Sequence, residues 1–394
     1  MNFYLKTKEE CDEIVNRNEA FIKIDRFVED CNVVVYDYRL ASLSDFVNDE
    51  AFELRGLCFV EQPDGTWKRN ILMNKFFNVD QTDGWLFDDV KDKKITRVQN
   101  KEDGSICSFV KFPNGKIRAK SKTSFISDQA QLAQSVFDAK PILQEEVSKL
   151  LDEGKTPIFE LVSPENQIVL EYQTTELILL QIRNEDGSYV NGETLKWYSN
   201  AMCVKEAKQF NLDGILEDGK EIIGTNSILE TLLYYKKIDQ SDIEGWVVTF
   251  SDGQMAKIKT QKYLSLHGLI GPDAFRENLL VQTILDGNID DVISALVPGE
   301  KKDKIVKMDE KVTHNFNHLV AEFITLRGEF FNKYREDRKS FSLDKKSNPL
   351  FGAVMKTLNT SFRDVEKTAE IAVKDYILKR CKSLTKAKEF IDSL

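Results

Sequence analysis

The segment KEDGSI, residues 101–106, places a lysine directly before an acidic turn. Asp103 and Gly104 are residue types that favour tight turns, so one interpretation is a solvated hairpin tip. The other interpretation is a nucleophile, in which Lys101 attacks a phosphate of a nucleotide. A pattern of this length occurs by chance in roughly one in ten chains of this size, so the choice depends on the rest of the sequence.

Two acidic residues stand alone inside apolar strands: Glu160 in PIFELV and Glu244 in IEGWVV. Each is either a charge on an edge strand or a buried carboxylate with a partner, because an unpaired buried carboxylate is costly. A nucleophilic lysine needs a pKa about two to three units below its usual value of about 10.4. Burial and neighbouring cations produce such a shift, and carboxylates would then compensate the charge of a nucleotide and its metal ion.

Cations recur at every second position of two predicted strands. Lys257 and Lys259 share one face of the strand MAKIKT, because side chains alternate between the two faces of a sheet. The strand KIRAKSK carries a longer row of the same kind, made of Lys116, Arg118, Lys120 and Lys122. Like charges on one face repel, so such a row faces either water or a polyanion, and both alternatives remain open.

These residues belong to a strand-rich region that extends from about residue 31 to 262. Its strands are rich in β-branched and aromatic residues and read NVVVYDY, LRGLCFV, SICSFVKF, KIRAKSK, PIFELV, QIVLEY, LILLQIR, EGWVVTF and MAKIKT. Asn114-Gly115 and Asp252-Gly253 predict hairpin turns. Residues 127–154 interrupt the strands with a helical pattern, which Pro141 is expected to break into two helices.

Beyond about residue 268 the apolar period changes from two to three and four. Apolar side chains recur at this spacing from Ile305 to Tyr334, and residues 363–381 continue in the same way. We therefore predict an α+β fold in which an antiparallel-sheet domain, residues 1–268, precedes an all-helical C-terminal domain, residues 269–394.

Composition narrows the function classes. The chain has 394 residues, a net charge of −10, 41% hydrophobic residues and no apolar run of membrane-spanning length. We expect no membrane partner and a cytoplasmic location, because the N-terminus reads as an amphipathic helix and not as a signal peptide. Six scattered cysteines predict neither disulfides nor a zinc cluster. The negative charge argues against electrostatic nucleic-acid binding by the whole surface, but local basic strips can still bind it.

The segments KEDGSI, PIFELV, IEGWVV and KIKT occur in the order and approximate spacing of the covalent nucleotidyltransferases. Within that superfamily the chain resembles the bacteriophage T4 RNA ligase 1 family of ATP-dependent RNA ligases. Further matching stretches include ELRGLCF, NKFFN, KSKTS and LILLQIR. The resemblance covers residues 31–265 well and weakens in the helical tail.

The resemblance implies a role for each matching residue. Lys101 would be the adenylated nucleophile, and Glu160 would hold the ribose hydroxyls. Glu244 would lie near the α-phosphate and help to organise a metal ion or the attacking amine. Lys257 and Lys259 would contact the α-phosphate.

The remaining implied residues surround the nucleotide. Arg55 and Lys75 would hold the outgoing pyrophosphate, and Lys122 would lie on the phosphate side of the pocket. Tyr38 would belong to the nucleotide pocket, although the neighbouring Tyr36 leaves that register open.

Three features depart from the family pattern or match it weakly. Asp290, in DGNIDD, matches an acidic residue associated with metal. Trp246 replaces a tyrosine but keeps an aromatic ring, and residues 203–240 match poorly and indicate a divergent excursion.

The implied reaction uses ATP and Mg²⁺, with Mn²⁺ as an alternative metal, and leaves AMP covalently on Lys101. The AMP would pass to an RNA 5′-phosphate, and an RNA 3′-hydroxyl would then close the phosphodiester. The substrate would be RNA with 5′-phosphate and 3′-hydroxyl ends, including a nicked tRNA anticodon loop. A monomeric enzyme of phage tRNA repair, acting in the host cytoplasm, fits this pattern.

Two alternatives remain. A DNA ligase or a capping-type enzyme would share the first motifs, but those enzymes usually continue with a β-barrel domain, whereas a helical pattern follows Lys259. A non-catalytic RNA-binding protein could keep the fold, but it would not need Lys101, Glu160, Glu244 and the two lysines of KIKT together.

Overall fold

The fold is described from a computed structural model, which divides the chain into two compact units. The first comprises Met1–Tyr38 with Leu43–Gly268, and the second comprises Arg39–Ser42 with Leu269–Leu394. The boundary predicted at residue 268 lies outside the described residues. The structure describes residues 5–166, 168–213, 219–222, 224, 227–239, 242–266, 275–296, 299–359 and 365–394.

Three four-stranded sheets form the framework of the first unit. In spatial order they are β1-β2-β3-β4, β10-β9-β7-β8 and β5-β12-β11-β6. The strands are β1 Phe21–Val28, β2 Cys31–Tyr38, β3 Leu57–Glu61, β4 Trp67–Asn70, β5 Phe77–Asn78, β6 Ile95–Lys101, β7 Ser105–Lys111, β8 Ile117–Lys120, β9 Thr156–Val162, β10 Glu176–Arg183, β11 Gly245–Phe250 and β12 Met255–Lys259. All strand pairs are antiparallel except β5 with β12, which are parallel.

Helices cover the sheets of the first unit. They are α1 Lys8–Arg17, α2 Leu43–Asn48, α3 Phe87–Val90, α4 Asp128–Asp138, α5 Pro141–Asp152, α6 Gly192–Ala201, α7 Ile228–Ile238 and α8 Gln261–Leu266. The predicted break at Pro141 is confirmed: α4 ends before it and α5 starts on it, since proline lacks an N–H and fits the first helical position.

One predicted strand is wrong. Residues 168–172 of QIVLEY form a loop, and Gln167 lies outside the described residues. The loop forms because the N–H groups of Val169 and Leu170 donate to the carboxylate of Asp103, at 2.9 and 2.7 Å, and not to a neighbouring strand.

The start of the predicted excursion, residues 203–240, has a structural role. Residues 205–210 lie between two sheet edges and bond to both of them. Ala207 N–H donates to Leu179 O in β10 at 2.9 Å, while Asn100 N–H in β6 donates to Lys208 O at 2.8 Å. Residues 214–218, 223, 225–226 and 240 of the excursion lie outside the described residues.

The second unit is helical wherever regular structure is described. Its helices are α9 Glu277–Leu285, α10 Ile289–Ala295, α11 Glu300–Asn332, α12 Arg338–Lys345, α13 Phe351–Thr357, α14 Val365–Arg380 and α15 Leu384–Asp392. The apolar stripe of α11 is buried as its period predicted, including Ile305, Val312, Phe316 and Phe323. The predicted fold class is therefore confirmed. Among the described residues, no helix is long and apolar enough to span a bilayer.

Gly245 fixes the register of the sheet that carries the site. It lies opposite Lys101 on one side and Lys259 on the other. Its φ is +152°, and a Cβ at this position would lie 2.0 Å from Ile258 O. No side chain fits there without moving the backbone.

We expect Gly245→Ala to destabilise the first unit by at least about 1–3 kcal/mol, because of this clash and the backbone strain. The four tryptophans, Trp67, Trp85, Trp197 and Trp246, all lie in that unit, so tryptophan fluorescence in urea measures its unfolding. Gly328→Ala in α11 is the control. Its Cβ meets no atom within 4 Å, and we expect no loss of stability. Equal fluorescence midpoints for wild type and Gly245→Ala would contradict the prediction.

Candidate active site

A cleft of about 290 Å³ opens in the first unit. Side chains from β2, β6, β9 and β12 and from the loops before β3 and β5 form its walls. Seven of the ten residues singled out in the sequence line it: Tyr38, Arg55, Lys75, Lys101, Glu160, Lys257 and Lys259. The tertiary structure thus gathers residues that are more than 200 positions apart.

A buried carboxylate lies between the ammonium groups of two lysines that line the cleft. Lys101 Nζ lies 2.7 Å from Glu244 Oε2, and Lys259 Nζ lies 3.0 Å from Glu244 Oε1. The Glu244 side chain is only 2% exposed, whereas Lys101 keeps 25% of its side chain accessible. Burial alone would raise the pKa of Glu244, but the two ammonium groups outweigh it and hold this pKa below its ordinary value.

Glu160 is a second carboxyl group near Lys101, with the opposite behaviour. Burial raises its pKa to about 8, and repulsion from Glu244 adds to the shift while attraction to Lys101 opposes it. Glu160 is therefore protonated at neutral pH and can donate a hydrogen bond to a ligand as well as accept one. Neither Glu160 nor Glu244 is an exposed edge-strand charge.

The turn after Lys101 is held by Asp103, which is 2% exposed. Asp103 accepts from Tyr263 Oη at 2.9 Å, in addition to the two loop N–H groups described above. The following Gly104 has no room for a side chain, because a Cβ would lie 2.3 Å from Leu161 O. The interpretation as a solvated hairpin tip is therefore excluded. The acidic turn is buried, and the hydrogen bonds to Asp103 hold the end of β6 in place.

Cations surround Tyr38, another residue that lines the cleft. Lys75 Nζ lies 3.3 Å from Tyr38 Oη, and Lys122 Nζ lies 4.8 Å from the centre of its ring. Burial would raise the pKa of Tyr38, but Lys75, Lys122 and Arg55 outweigh it and lower this pKa to about 8. Three cations around one tyrosine of the cleft can bind a polyanion such as a phosphate chain.

The two neighbouring tyrosines have different surroundings. Tyr36 Oη donates to Asp12 Oδ1 at 2.7 Å and is buried, whereas Tyr38 lines the cleft. Tyr36 and Tyr38 point to the same face of β2, so the sequence alternation alone could not separate them.

The row of cations predicted in KIRAKSK does not form one surface. Lys122 pairs with Asp37 at 2.8 Å, and Arg118 pairs with Glu29. Lys120 is fully buried and donates to the carbonyls of Gly56, Ser121 and Lys122 at 3.0–3.2 Å. Burial lowers the pKa of Lys120 to about 8. The expectation that the whole row faces water or an anion is wrong for Lys120, which ties the loop of Arg55 to the loop of Lys122.

Two cleft residues were not found from the sequence. Gln99 Oε1 and Asn100 Oδ1 are buried and have no hydrogen-bond partner among the described residues. Both residues line the cleft next to Lys101. Unpaired buried acceptors are rare, so they indicate polar groups that a ligand supplies. Their position directly before the lysine was the available sequence signal.

Asp290 belongs to the second unit and not to the unit that contains the cleft. It lies in the first turn of α10 in the helical unit, where Asp290 Oδ1 accepts from Asp291 N–H at 3.0 Å. No cluster of three or more His, Cys, Asp or Glu side chains in the described part of the chain could hold a metal ion by itself. The metal role of Asp290 stays a prediction.

The carboxylate of Glu244 nevertheless fits a magnesium ion that arrives with phosphates. Mg²⁺ is usually held by one or two carboxylates together with substrate phosphates and water, and not by a complete protein cage. Glu244 supplies an ionised carboxylate of this kind between Lys101 and Lys259.

Comparison with known proteins identifies the family. A family model described as RNA ligase, of the T4 type, matches residues 53–263, which is more than half of the chain. A candidate RNA ligase of Thermovibrio ammonificans is 22% identical over 360 residues, which cover 89% of each chain.

Solved structures of RNA ligases show weaker likenesses. An archaeal ATP-dependent RNA ligase matches 80% of this chain and 79% of its own, at 9% identity and a TM-score of 0.45. A Naegleria gruberi RNA ligase with pyrophosphate matches 50% of this chain and 58% of its own, at 16% identity and a TM-score of 0.39. Both TM-scores are below 0.5, so the identification depends on the family match.

We expect one of the eleven tyrosines to ionise near pH 8, and this transition to be absent in Tyr38→Phe. Near-ultraviolet absorbance of tyrosinate measures it, and the exposed Tyr234→Phe is the control that keeps it. Inorganic pyrophosphate should move the transition to higher pH, because an anion bound to Lys75, Lys122 and Arg55 cancels their field. A transition that persists in Tyr38→Phe would contradict the assignment.

We expect Glu160→Gln to change how stability depends on pH. The folded-state pKa of about 8 exceeds the unfolded value, so the stabilising contribution of Glu160 is complete at low pH and is lost as the pH rises to 8. Wild type should therefore lose up to about 1 kcal/mol of unfolding free energy per pH unit relative to Glu160→Gln between pH 5 and 8. Parallel stability curves from urea unfolding would show that Glu160 is ionised in the folded state.

Proposed function

Because this chain belongs to the T4 type RNA ligase family, we propose that it is an ATP-dependent RNA ligase that works through a lysyl-AMP intermediate. The observation that carries the proposal is the placement of Lys101. Its accessible amine lines the same cleft as Tyr38, around which Arg55, Lys75 and Lys122 gather, and this arrangement matches a nucleotide triphosphate attacked at its α-phosphate.

In the first step, Lys101 Nζ attacks the α-phosphorus of ATP. A nitrogen–phosphorus bond forms, the bond from phosphorus to the bridging oxygen breaks, and pyrophosphate leaves. The ammonium group of Lys101 first gives a proton to Glu244 Oε2, at 2.7 Å, so that the neutral amine attacks, and its second proton passes to water as the nitrogen–phosphorus bond forms. Lys257 and Lys259 stabilise the charge on the α-phosphate, Arg55 and Lys75 hold the departing pyrophosphate, and Lys122 lies on the phosphate side of the pocket.

The nucleoside occupies the wall next to Lys101. Glu160 holds the ribose hydroxyls, and its raised pKa lets it donate as well as accept hydrogen bonds. A bound Mg²⁺, with Mn²⁺ as a substitute, would neutralise phosphate charge at Glu244. The neutral Glu160 thus binds the ribose, while the nearby ionised Glu244 serves the metal ion and the attacking amine.

Two further steps complete the reaction. An oxygen of an RNA 5′-phosphate attacks the α-phosphorus of lysyl-AMP, which restores the lysine and forms an RNA-adenylate. An RNA 3′-hydroxyl then attacks the 5′-phosphorus, AMP leaves, and a phosphodiester remains. We propose single-stranded RNA ends of a nicked tRNA anticodon loop as the substrate, in phage tRNA repair, because a helical unit and not a barrel follows Lys259.

We expect α-labelled ATP and Mg²⁺ to label wild type covalently and to leave Lys101→Ala unlabelled. Lys149→Ala, which changes an exposed lysine on α5, is the matched control and should label like wild type. Lys101→Ala should still join RNA that already carries a 5′-adenylate, because this step does not need the lysine, and joining would show that the variant is folded. Label on Lys101→Ala, or none on folded wild type, would contradict the proposal.

Release of the label tests the substrate. Wild-type lysyl-AMP should lose its label when 5′-phosphorylated single-stranded RNA is added, and a nicked tRNA should be sealed faster than an unstructured oligonucleotide. Faster sealing of nicked duplex DNA would favour a different polynucleotide ligase. Label that no nucleic acid discharges would contradict the ligase assignment.

A further inference from the structure

Arg183, at the end of β10, is a buried cation for which the proposed chemistry has no role. Its side chain is 0% exposed and forms a bidentate pair with Glu53, with Nη1–Oε2 at 2.6 Å and Nη2–Oε1 at 2.9 Å. The guanidinium also donates to Leu72 O at 2.8 Å and, from Nε, to Gly187 O at 3.0 Å. One planar group thus holds three separate segments of the chain.

Two of those segments carry cations of the cleft. Glu53 precedes Arg55 by two residues, and Leu72 precedes Lys75 by three. The segments also bond to each other: Lys75 N–H donates to Phe52 O at 2.7 Å, and Arg55 Nη1 donates to Met73 O at 3.2 Å. The relative position of Arg55 and Lys75 therefore depends on the hydrogen bonds that hold these two segments together.

Tyr189 also helps to hold the segment of Lys75 in place. The guanidinium carbon of Arg183 lies 4.7 Å from the centre of the Tyr189 ring. Tyr189 Oη accepts from the N–H of Asn74 at 3.1 Å and donates to the side chain of Asn74, directly before Lys75. Stacking on Arg183 fixes the ring, and the ring fixes the backbone at Lys75.

We propose that Arg183 and Glu53 are a positioning pair that sets Arg55 and Lys75 for the pyrophosphate part of ATP. This inference rests on the proposed ligase function. Both side chains are buried and act only through the residues they hold. A lysine cannot replace the arginine, because bonding Glu53, Leu72 and Gly187 together requires the planar fork of a guanidinium.

The proposal predicts an effect on one step only. Pyrophosphate is released when the lysine is adenylated and is consumed when that step is reversed. When an RNA-adenylate is joined, the leaving group is AMP and no pyrophosphate takes part. A misplaced Arg55 and Lys75 should weaken ATP and pyrophosphate binding and leave the joining of pre-adenylated RNA intact. A pair that only stabilised the fold would affect both reactions together.

The test compares Arg183→Lys with a double variant, Arg183→Met with Glu53→Met. The double variant leaves no unpaired buried charge, so it protects the test against loss of folding in the single variant. Arg17→Lys, at an exposed arginine paired with Asp49 at 2.7 Å, is the matched control. Circular dichroism and tryptophan fluorescence establish that each variant is folded.

Three quantities are measured for each folded variant: the KM for ATP in lysine adenylation, the pyrophosphate concentration that half-reverses it, and the rate of joining pre-adenylated RNA. We expect the first two to rise about tenfold or more in both variants, while the joining rate changes less than about twofold. Arg17→Lys should match wild type in all three.

Other results overturn the proposal in distinguishable ways. Equal losses in adenylation and joining would make the pair structural only. Normal constants in Arg183→Lys would show that charge, and not the fork, is what matters. A wild-type enzyme that neither takes label from ATP nor joins pre-adenylated RNA would overturn the ligase function itself.

Discussion

The buried carboxylate of Glu244, between the ammonium groups of Lys101 and Lys259, is the interaction on which the site depends. An isolated charge buried this deeply would be unstable, but two cations at 2.7 and 3.0 Å keep it ionised. The sheet register makes this possible, because Gly245 lies opposite both lysines and starts the central strand directly after Glu244. The carboxylate of Glu244 therefore holds the side chains of Lys101 and Lys259 close to each other.

Charge distribution reconciles an acidic protein with an anionic substrate. The net charge is −10, yet six cations gather at the cleft: Arg55, Lys75, Lys101, Lys122, Lys257 and Lys259. Buried partners hold several of them, among them Asp37 with Lys122 and Glu244 with Lys259. The local field is thus positive where phosphates would bind, while the overall charge opposes unspecific binding of nucleic acid.

Short-range patterns explain which predictions were correct. Pro141 breaks a helix because its ring fixes φ and removes an N–H, and Asp252-Gly253 turns because glycine adopts a positive φ, here +81°. The long helix α11 was predicted correctly because the spacing of its apolar residues is visible in the local sequence alone. The strand predicted for QIVLEY was wrong because two of its N–H groups donate to the carboxylate of Asp103, about 65 residues earlier in the chain. Local sequence propensity contains no information about such a distant partner.

The sequence alone determined the family, the fold class and the identity of nearly all the charged groups of the cleft, because these depend on residue type and order. Tertiary structure alone decided what each group does. Lys120 and Lys122 have the same chemistry and alternate in the same strand pattern, yet one is fully buried on three carbonyls while the other lies over the ring of Tyr38. Burial and pairing arise from segments distant in the chain, and these set the pKa, the geometry and hence the chemistry.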